Sequence, residues 1–77
     1  MDGVDRIERK LEVLGGQPVI RGTRVPVSAL VGGLAGGMTI EQVCASYRVT
    51  DEDVRAALKY AVEILEEDRA LGGATPR

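Results

Sequence analysis

The sequence carries two helix-start signals close together, and they limit the fold more than any other feature. Thr39 is followed three positions later by Gln42, and Thr50 is followed at the same spacing by Asp53. A hydroxyl followed by an acceptor at this spacing forms a capping box, complete in the first case and a variant in the second. Two hydrophobic staple pairs flank these positions: Met38 with Val43, and Val49 with Val54. Two helices are therefore predicted to begin within a short stretch of chain.

Apolar residues recur at helical spacing after each start. One helix is predicted from Ile40 to about Tyr47, and the next follows the second capping box to about Arg69. The apolar faces are, in order, Ile40, Val43, Cys44 and Tyr47, then Val54, Ala57, Leu58, Ala61, Val62 and Leu65. Only residues 48–50 separate the two helices, which is typical of a helix-turn-helix. Because so small a bundle is too short to cover a stripe that reaches Leu65, we expect its end to meet a second subunit or a partner.

A further helix is predicted before these two, from Val27 to Ala35. Its apolar residues follow the i, i+3, i+4, i+7 rule. Gly32 and Gly33 each cost about 1 kcal/mol against Ala in a helix. We therefore expect both glycines to allow a close backbone approach, and we expect the glycine pair 36–37 to end the helix through a left-handed residue.

The segment 19–25 predicts a short β-hairpin that turns at residues 22–23. Glycine would occupy the first central position of a type II′ turn. Arg21 and Arg24 would then stand directly opposite each other, a like-charge pairing that destabilises a hairpin. We expect an anionic group to relieve it, and three remain open: a DNA phosphate, a partner carboxylate, or Asp and Glu of the same chain. The further alternative is that both arginine side chains splay into water.

These elements predict a mainly α fold, in which a short N-terminal β-hairpin precedes a three-helix helix-turn-helix bundle. This domain is assigned to residues 15–70. Residues 1–14 alternate charged and aliphatic side chains, which suits a short amphipathic helix or an arm that docks late. Residues 71–77 have the composition of a flexible tail.

Composition argues against an enzyme. The 77 residues include one cysteine and no histidine, so the usual nucleophile–base pairs and metal sites lack their components. Cys44, on an apolar helix face, is interpreted as a core residue. We expect no cofactor and no metal. The first residues lack the apolar run of a secretory signal, and we expect a cytoplasmic protein without membrane contact.

Seven residues are candidates for contact with a partner or with DNA. They are Arg21, Thr23, Arg24, Arg48, Thr50, Arg55 and Lys59. The last three lie on the outward face of the third helix, which in a helix-turn-helix protein addresses the major groove. However, Asp51 and Glu52 would repel phosphates there, and the net charge of −2 gives no general attraction to nucleic acid. Helix capping and the helix dipole also explain Thr50 and these acids without any ligand.

The end of the third helix is acidic. Glu63, Glu66, Glu67 and Asp68 follow one another closely. They form either a patch that receives a basic partner or a solvated helix face.

The segment from Gly15 to Val27 resembles the signature of a bacterial and archaeal domain-of-unknown-function family, number four-three-three. The family pattern is a Gly-Lys/Gln-Pro-x-Ile-x-Gly-Thr-Arg-hydrophobic-Pro-Val segment. The resemblance continues through residues 36–42, Tyr47 and residues 50–61. It implies a homeodomain-like bundle after a β-hairpin, commonly dimeric, in a VapB-type antitoxin encoded beside a PIN-like ribonuclease toxin.

The resemblance leads to a functional expectation with two rivals. The first hypothesis is an antitoxin that neutralises a PIN-like ribonuclease, forms a homodimer and represses its own operon by binding operator DNA. The rivals are a stand-alone DNA-binding regulator and a dimerisation module. The family has no agreed catalytic residues, so none is assigned.

Overall fold

The computed structural model describes residues 6–70, with side chains through Glu67. Two short strands, β1 (Ile7–Glu8) and β2 (Val19–Ile20), flank a 3₁₀ turn over Leu14–Gly16. Three helices follow: α1 (Val27–Ala35), α2 (Ile40–Tyr47) and α3 (Asp51–Ala70). The mainly α fold with a short N-terminal hairpin and three helices is confirmed. The predicted tail and the first five residues of the predicted arm lie outside the described residues.

Both predicted helix starts are present with their caps formed. At α2, the Thr39 hydroxyl accepts from the Gln42 N–H at 3.0 Å, and the Gln42 side-chain oxygen accepts from the Thr39 N–H at 2.9 Å. At α3, Thr50 and Asp53 exchange equivalent bonds of 3.1 and 3.0 Å. Local sequence therefore determines where these two helices begin.

The glycines of α1 have different roles. Helix α1 ends at Ala35, and Gly37 just beyond it has φ +107°, while the Met38 N–H donates to the Gly33 carbonyl at 3.0 Å. This is the Schellman arrangement, and the predicted glycine ending is confirmed. A Cβ on Gly33 would lie 3.1 Å from the Met38 sulfur and 3.3 Å from Val43 Cγ2, whereas a Cβ on Gly32 meets nothing within 4 Å. The predicted close approach is therefore correct for Gly33 and wrong for Gly32.

The turn between α2 and α3 depends on a residue that sequence reasoning did not single out for it. Arg48 caps α2 in the left-handed conformation, with φ 58° and ψ 47°. Glycine would adopt this backbone conformation at no steric cost, but the residue here is an arginine whose side chain is exposed. The resulting turn directs α3 across α1 and α2.

The core lies where the three helices meet the small sheet. Leu30, Val43, Val54 and Val19 are fully enclosed. They are joined by Ile7, Ile20, Val27, Val49, Ala56 and Ala57. Helix α3 packs against α1, α2 and β1, so the core includes residues from both ends of the described chain.

The sheet differs from the hairpin that was predicted. Strand β2 pairs with β1 in antiparallel register, Ile7 opposite Ile20, so a helix at this point of the arm is wrong. The downstream partner of β2 is reduced to an isolated bridge between Val19 and Pro26. Ile20 gains a second edge contact, donating to the Val25 carbonyl at 2.9 Å. The arm supplies the strand because Ile7 is buried there.

The turn after β2 is also shifted by one residue. The Thr23 N–H donates to the Ile20 carbonyl at 2.9 Å, which makes Arg21 and Gly22 the central pair. Gly22 has φ +81°, the sign that a type II turn requires at its third position. The prediction of a type II′ turn centred on Gly22 and Thr23 is therefore wrong.

Candidate partner-binding surfaces

The turn after β2 binds a carboxylate from its own chain. Glu8 on β1 accepts from the Gly22 N–H at 3.0 Å and pairs with Arg21 Nη1 at 3.3 Å. The Glu8 side chain is only 13% exposed. Of the three anions considered for Arg21, the structure thus provides an acid of the same chain.

Arg24 is placed differently from Arg21. Arg21 is a central residue of the turn, whereas Arg24 follows the turn. Arg24 is exposed, and its side chain has no hydrogen bond or ion pair within the described part of the chain. It is therefore available to an external anion.

Thr23 holds the turn together. Its hydroxyl donates to the Ile20 carbonyl at 2.7 Å and accepts from the Val25 N–H at 2.9 Å. Both hydroxyl roles are thus used inside the chain. The structure gives this candidate a conformational role.

The start of α3 is tied to the N-terminal arm. Arg6 reaches Glu52 at 2.6 Å through Nη2 and Asp53 at 3.0 Å through Nη1. Burial by itself raises the pKa of the Asp53 carboxyl, but hydrogen bonds from Thr50 and Arg6 outweigh it and leave that pKa below its ordinary value. Arg6 is not among the predicted site residues, because nothing local in the sequence links it to residues more than forty positions away.

On the outward face of α3, Arg55 is paired with an acid of the same helix. Arg55 Nε donates to Asp51 Oδ1 at 2.7 Å, and this bond, with the attraction between the charges, raises the pKa of the guanidinium further. Thr50, Asp51, Glu52 and Arg55 line a shallow hollow of about 440 Å³. Two carboxylates and one cation therefore share the surface that would face a DNA groove.

The remaining predicted cations stand apart from this network. Arg48 and Lys59 are exposed, and neither makes an ion pair with any residue between 6 and 67. The structure therefore brings together only two of the seven candidates, Thr50 and Arg55, around one hollow.

An apolar groove lies at the other end of α3. It has a volume of about 390 Å³ and runs between α3, the start of α1 and the segment before β2. Its walls are Gln17, Pro18, Val27, Ser28, Val31, Tyr60, Ala61, Ile64 and Leu65. Ile64 is 43% exposed and Leu65 is 65% exposed, and Val62 beside them is 54% exposed. The predicted uncovered end of the α3 stripe is present.

One wall of this groove follows from the sequence pattern, and the other does not. The helical spacing of apolar residues on α3 extends to Leu65, so that wall follows from periodicity. The opposite wall comes from residues 17–18 and from Val27, Ser28 and Val31 of α1. No sequence signal indicates that these residues lie across from Leu65, since the packing of α1 on α3 brings them there.

Among the described residues, no cluster of three or more His, Cys, Asp or Glu side chains could hold a metal ion. Cys44 is half-buried and packs against the core, as interpreted from its helix face. Within residues 6–70, no helix has the length and apolar character needed to cross a bilayer.

Comparison with solved structures supports the fold. The crystal structure of a DUF433 member protein from Anabaena variabilis ATCC 29413 matches with a TM-score of 0.73 and 36% identity. The match covers 87% of this chain and 68% of that one. Rv2018 from Mycobacterium tuberculosis matches with a TM-score of 0.66 and 33% identity, over 74% of this chain and 27% of that one.

Sequence comparison leads to the same family. The uncharacterized protein y4eO of Sinorhizobium fredii (strain NBRC 101917 / NGR234) is 41% identical over 51 residues, which cover 65% of this chain. The match spans only 23% of the length of y4eO. A family described as a protein of unknown function, DUF433, matches residues 7–61. Profile, relative and fold agree, and the chain therefore belongs to the DUF433 family.

Proposed function

We propose that this protein is an antitoxin-type binding protein that acts in the cytoplasm by docking on a PIN-like ribonuclease toxin. The observation that carries the proposal is the uncovered apolar end of α3, where Val62, Ile64 and Leu65 remain exposed. A contiguous apolar surface of this kind is typical of a protein-binding site. The nuclease as partner comes from the family resemblance.

The charges at the start of α3 favour a protein partner over DNA. Affinity for DNA depends on cations that neutralise phosphates. Arg55 is already paired with Asp51, and the exposed Glu52 lies on the same surface. Operator binding, if it accompanies the antitoxin role, would depend on Arg48 and Lys59.

Arg24 is the residue best placed to act on the nuclease. It is exposed and has no ion-pair partner in the described chain, unlike Arg21. An arginine inserted among the carboxylates of a nuclease site would occupy the place of its metal ions through forked hydrogen bonds. Neutralisation would then combine apolar docking at α3 with ion pairing at Arg24.

The test is co-expression of the full chain with the protein encoded beside it. We expect a co-purifying complex and restored growth of cells that express the toxin. The double variant Ile64→Gln with Leu65→Gln should weaken the complex at least tenfold. Leu11→Gln is the matched control, because Leu11 is 81% exposed but lies outside the groove.

Three results would contradict the proposal. They are a neighbouring protein that is not a nuclease, a failure of the two proteins to associate, and a groove double variant that neutralises the toxin as well as the unaltered chain does. A gel shift on the chain's own promoter that weakens steeply with salt, without any protein complex, would favour the DNA-binding regulator. Light scattering that reports a dimer with neither partner would favour the dimerisation module.

A further inference from the structure

We propose that two copies of this chain form a dimer by exchanging the segment of residues 6–8, which contains β1. In this dimer, β1 of each copy pairs with β2 and packs against α3 of the other copy, and residues 9–16 act as the hinge. The inference goes beyond the antitoxin role, because it describes self-assembly and needs no nuclease partner.

The exchanged segment is held by residues that lie far from it in the sequence. Arg6 bonds to two carboxylates at the start of α3. Ile7 is buried in the core opposite Ile20, and Glu8 accepts from a backbone N–H of the turn after β2. A second copy offers the same partners in the same geometry. Exchange of an identical element therefore keeps these contacts and requires no new binding surface.

The hinge makes its own hydrogen bonds. The Val13 N–H donates to the Lys10 carbonyl at 2.8 Å, and the Gly16 N–H donates to the Val13 carbonyl at 3.0 Å. Arg9 Nε donates to the Gly16 carbonyl at 3.0 Å. In the part of the chain that the structure describes, no hydrogen bond or ion pair joins residues 9–16 to the three helices. Opening the hinge therefore breaks no bond to the helical bundle.

The closed hinge holds a leucine in a left-handed conformation. Leu14 has φ +51°, and Gly15 and Gly16 after it have φ +67° and +92°. This conformation is unfavourable for a residue with a Cβ, whereas glycine adopts it freely. The chain reverses direction here, since Glu8 and Val19 stand opposite each other in the sheet. An extended hinge would release Leu14, and strained hinge loops favour exchange.

The hinge is long enough to join two copies. Between Glu8 and Gln17 an extended chain spans about 30 Å, at about 3.3 Å per residue. Paired strands lie about 5 Å apart, so the closed form uses a small part of this reach. Because the exchanged contacts are the same in both forms, the balance between monomer and dimer depends on the hinge and on the entropy of association. A change confined to Leu14 should therefore shift the dimer dissociation constant.

The experiment detects contact between Ile7 and Ile20 of different copies. Full chains with and without ¹³C label are mixed, unfolded together in urea and refolded. Light scattering should report a dimer, and isotope-filtered NMR should show a nuclear Overhauser effect between Ile7 of a labelled copy and Ile20 of an unlabelled one. Side chains directly opposite each other in an antiparallel pair are close enough for this signal. Without exchange, the effect occurs only within one copy.

Two substitutions of Leu14 with opposite expected effects test the hinge. Leu14→Gly removes the strain of the closed form and should raise the dimer dissociation constant at least about tenfold. Leu14→Pro fixes φ at about −65°, which the closed hinge does not allow, and should lower this constant. Val13 already has the extended conformation that a following proline favours, with φ −110° and ψ 109°.

Glu12→Gly is the matched control for the flexibility of glycine. Glu12 is exposed and is not among the described residues with positive φ, so glycine there relieves no strain. We expect its dissociation constant to stay within about threefold of that of the unaltered chain, as for an ordinary surface substitution. A rise equal to that of Leu14→Gly would contradict the role of strain.

The inference is overturned if the chain remains a monomer at the concentrations used for NMR, or if a dimer forms while the contact between Ile7 and Ile20 stays within each copy. It is also overturned if Leu14→Gly and Leu14→Pro shift the dissociation constant in the same direction, or if neither shifts it. A monomer that neutralises the nuclease would sustain the proposed function while the exchange fails. An exchanged dimer without a nuclease partner would give the reverse.

Discussion

The Asp53 carboxylate connects the start of α3 to the N-terminal arm. It accepts from the Thr50 N–H at 3.0 Å and so completes the cap of α3. It also accepts from Arg6 at 3.0 Å, which fixes the arm that carries β1. Its residue is only 9% exposed, so few water molecules are available to replace either partner. Loss of its charge should therefore weaken both the cap of α3 and the contact with the arm.

The stability contributed by Asp53 is expected to depend on pH. The pKa of its carboxyl lies below the ordinary 3.8 in the folded chain, so the folded state binds fewer protons than the unfolded state near that pH. This contribution is complete above pH 3.8 and is lost as the pH falls through the lower folded pKa. Asp53→Asn should cost about 1–3 kcal/mol of unfolding free energy at neutral pH. The cost should shrink below pH 3.8.

Urea unfolding at pH 7 and at pH 3 measures this difference. Glu63→Gln is the control, because Glu63 is exposed and has no ion-pair partner among the described residues. A cost of Asp53→Asn that stays constant with pH would contradict the assignment.

At the scale of elements, helix α1 combines two adjacent glycines with opposite effects. Gly33 faces Met38 and the fully enclosed Val43, and its missing side chain lets α1 approach α2. Gly32 is exposed, and the space around it is open. Of these two glycines, only Gly33 therefore has a packing reason among the residues that the structure describes, and Gly32 carries the entropic cost of glycine without one there.

Alanine at the two positions should separate these roles. Gly32→Ala should stabilise the fold by about 0.5–1 kcal/mol through helix propensity. Gly33→Ala gains the same propensity, but its Cβ would crowd Val43 Cγ2 at 3.3 Å. Overpacking of this kind costs about 1–3 kcal/mol, so no net stabilisation is expected. Thermal unfolding of both variants is the measurement, and equal rises in Tm would refute the distinction.

At the scale of the whole molecule, the N-terminal arm packs back against the core, α3 and the turn after β2. Ile7 enters the core, and Arg6 bonds to α3. Glu8 holds the turn after β2, so three consecutive residues contact two separate parts of the fold. Compactness thus depends on contacts between residues far apart in the sequence.

Removal of the Arg6 guanidinium should loosen this closure. Arg6→Ala leaves the Asp53 side chain, 13% exposed, without its cation, and should cost about 1–3 kcal/mol. The Arg21 amide, which donates to the Arg6 carbonyl at 2.7 Å, should exchange its hydrogen faster. Urea unfolding and hydrogen exchange measure the two effects.

Arg9→Ala is the matched control for the arm. Arg9 is exposed and donates only to the Gly16 carbonyl among the bonds described, so its loss should change stability by less than about 0.5 kcal/mol. Equal destabilisation by the two variants would show that Arg6 does not act through Asp53.

The sequence alone determined the parts of this protein that depend on near neighbours. Capping pairs three residues apart located α2 and α3, and helical spacing identified the α3 stripe that stays exposed at Leu65. Such signals act within one helical turn, so they can be recognised without knowing the fold.

Only the tertiary structure decided which distant groups meet. It paired β1 with β2, gave Arg21 the carboxylate of Glu8, and set α1 across from Ile64 to form the groove. It also centred the turn after β2 on Arg21 and Gly22, where the Thr23 N–H donates to the Ile20 carbonyl. Long-range contacts arise from the packing of the whole chain, and no short stretch of sequence specifies them.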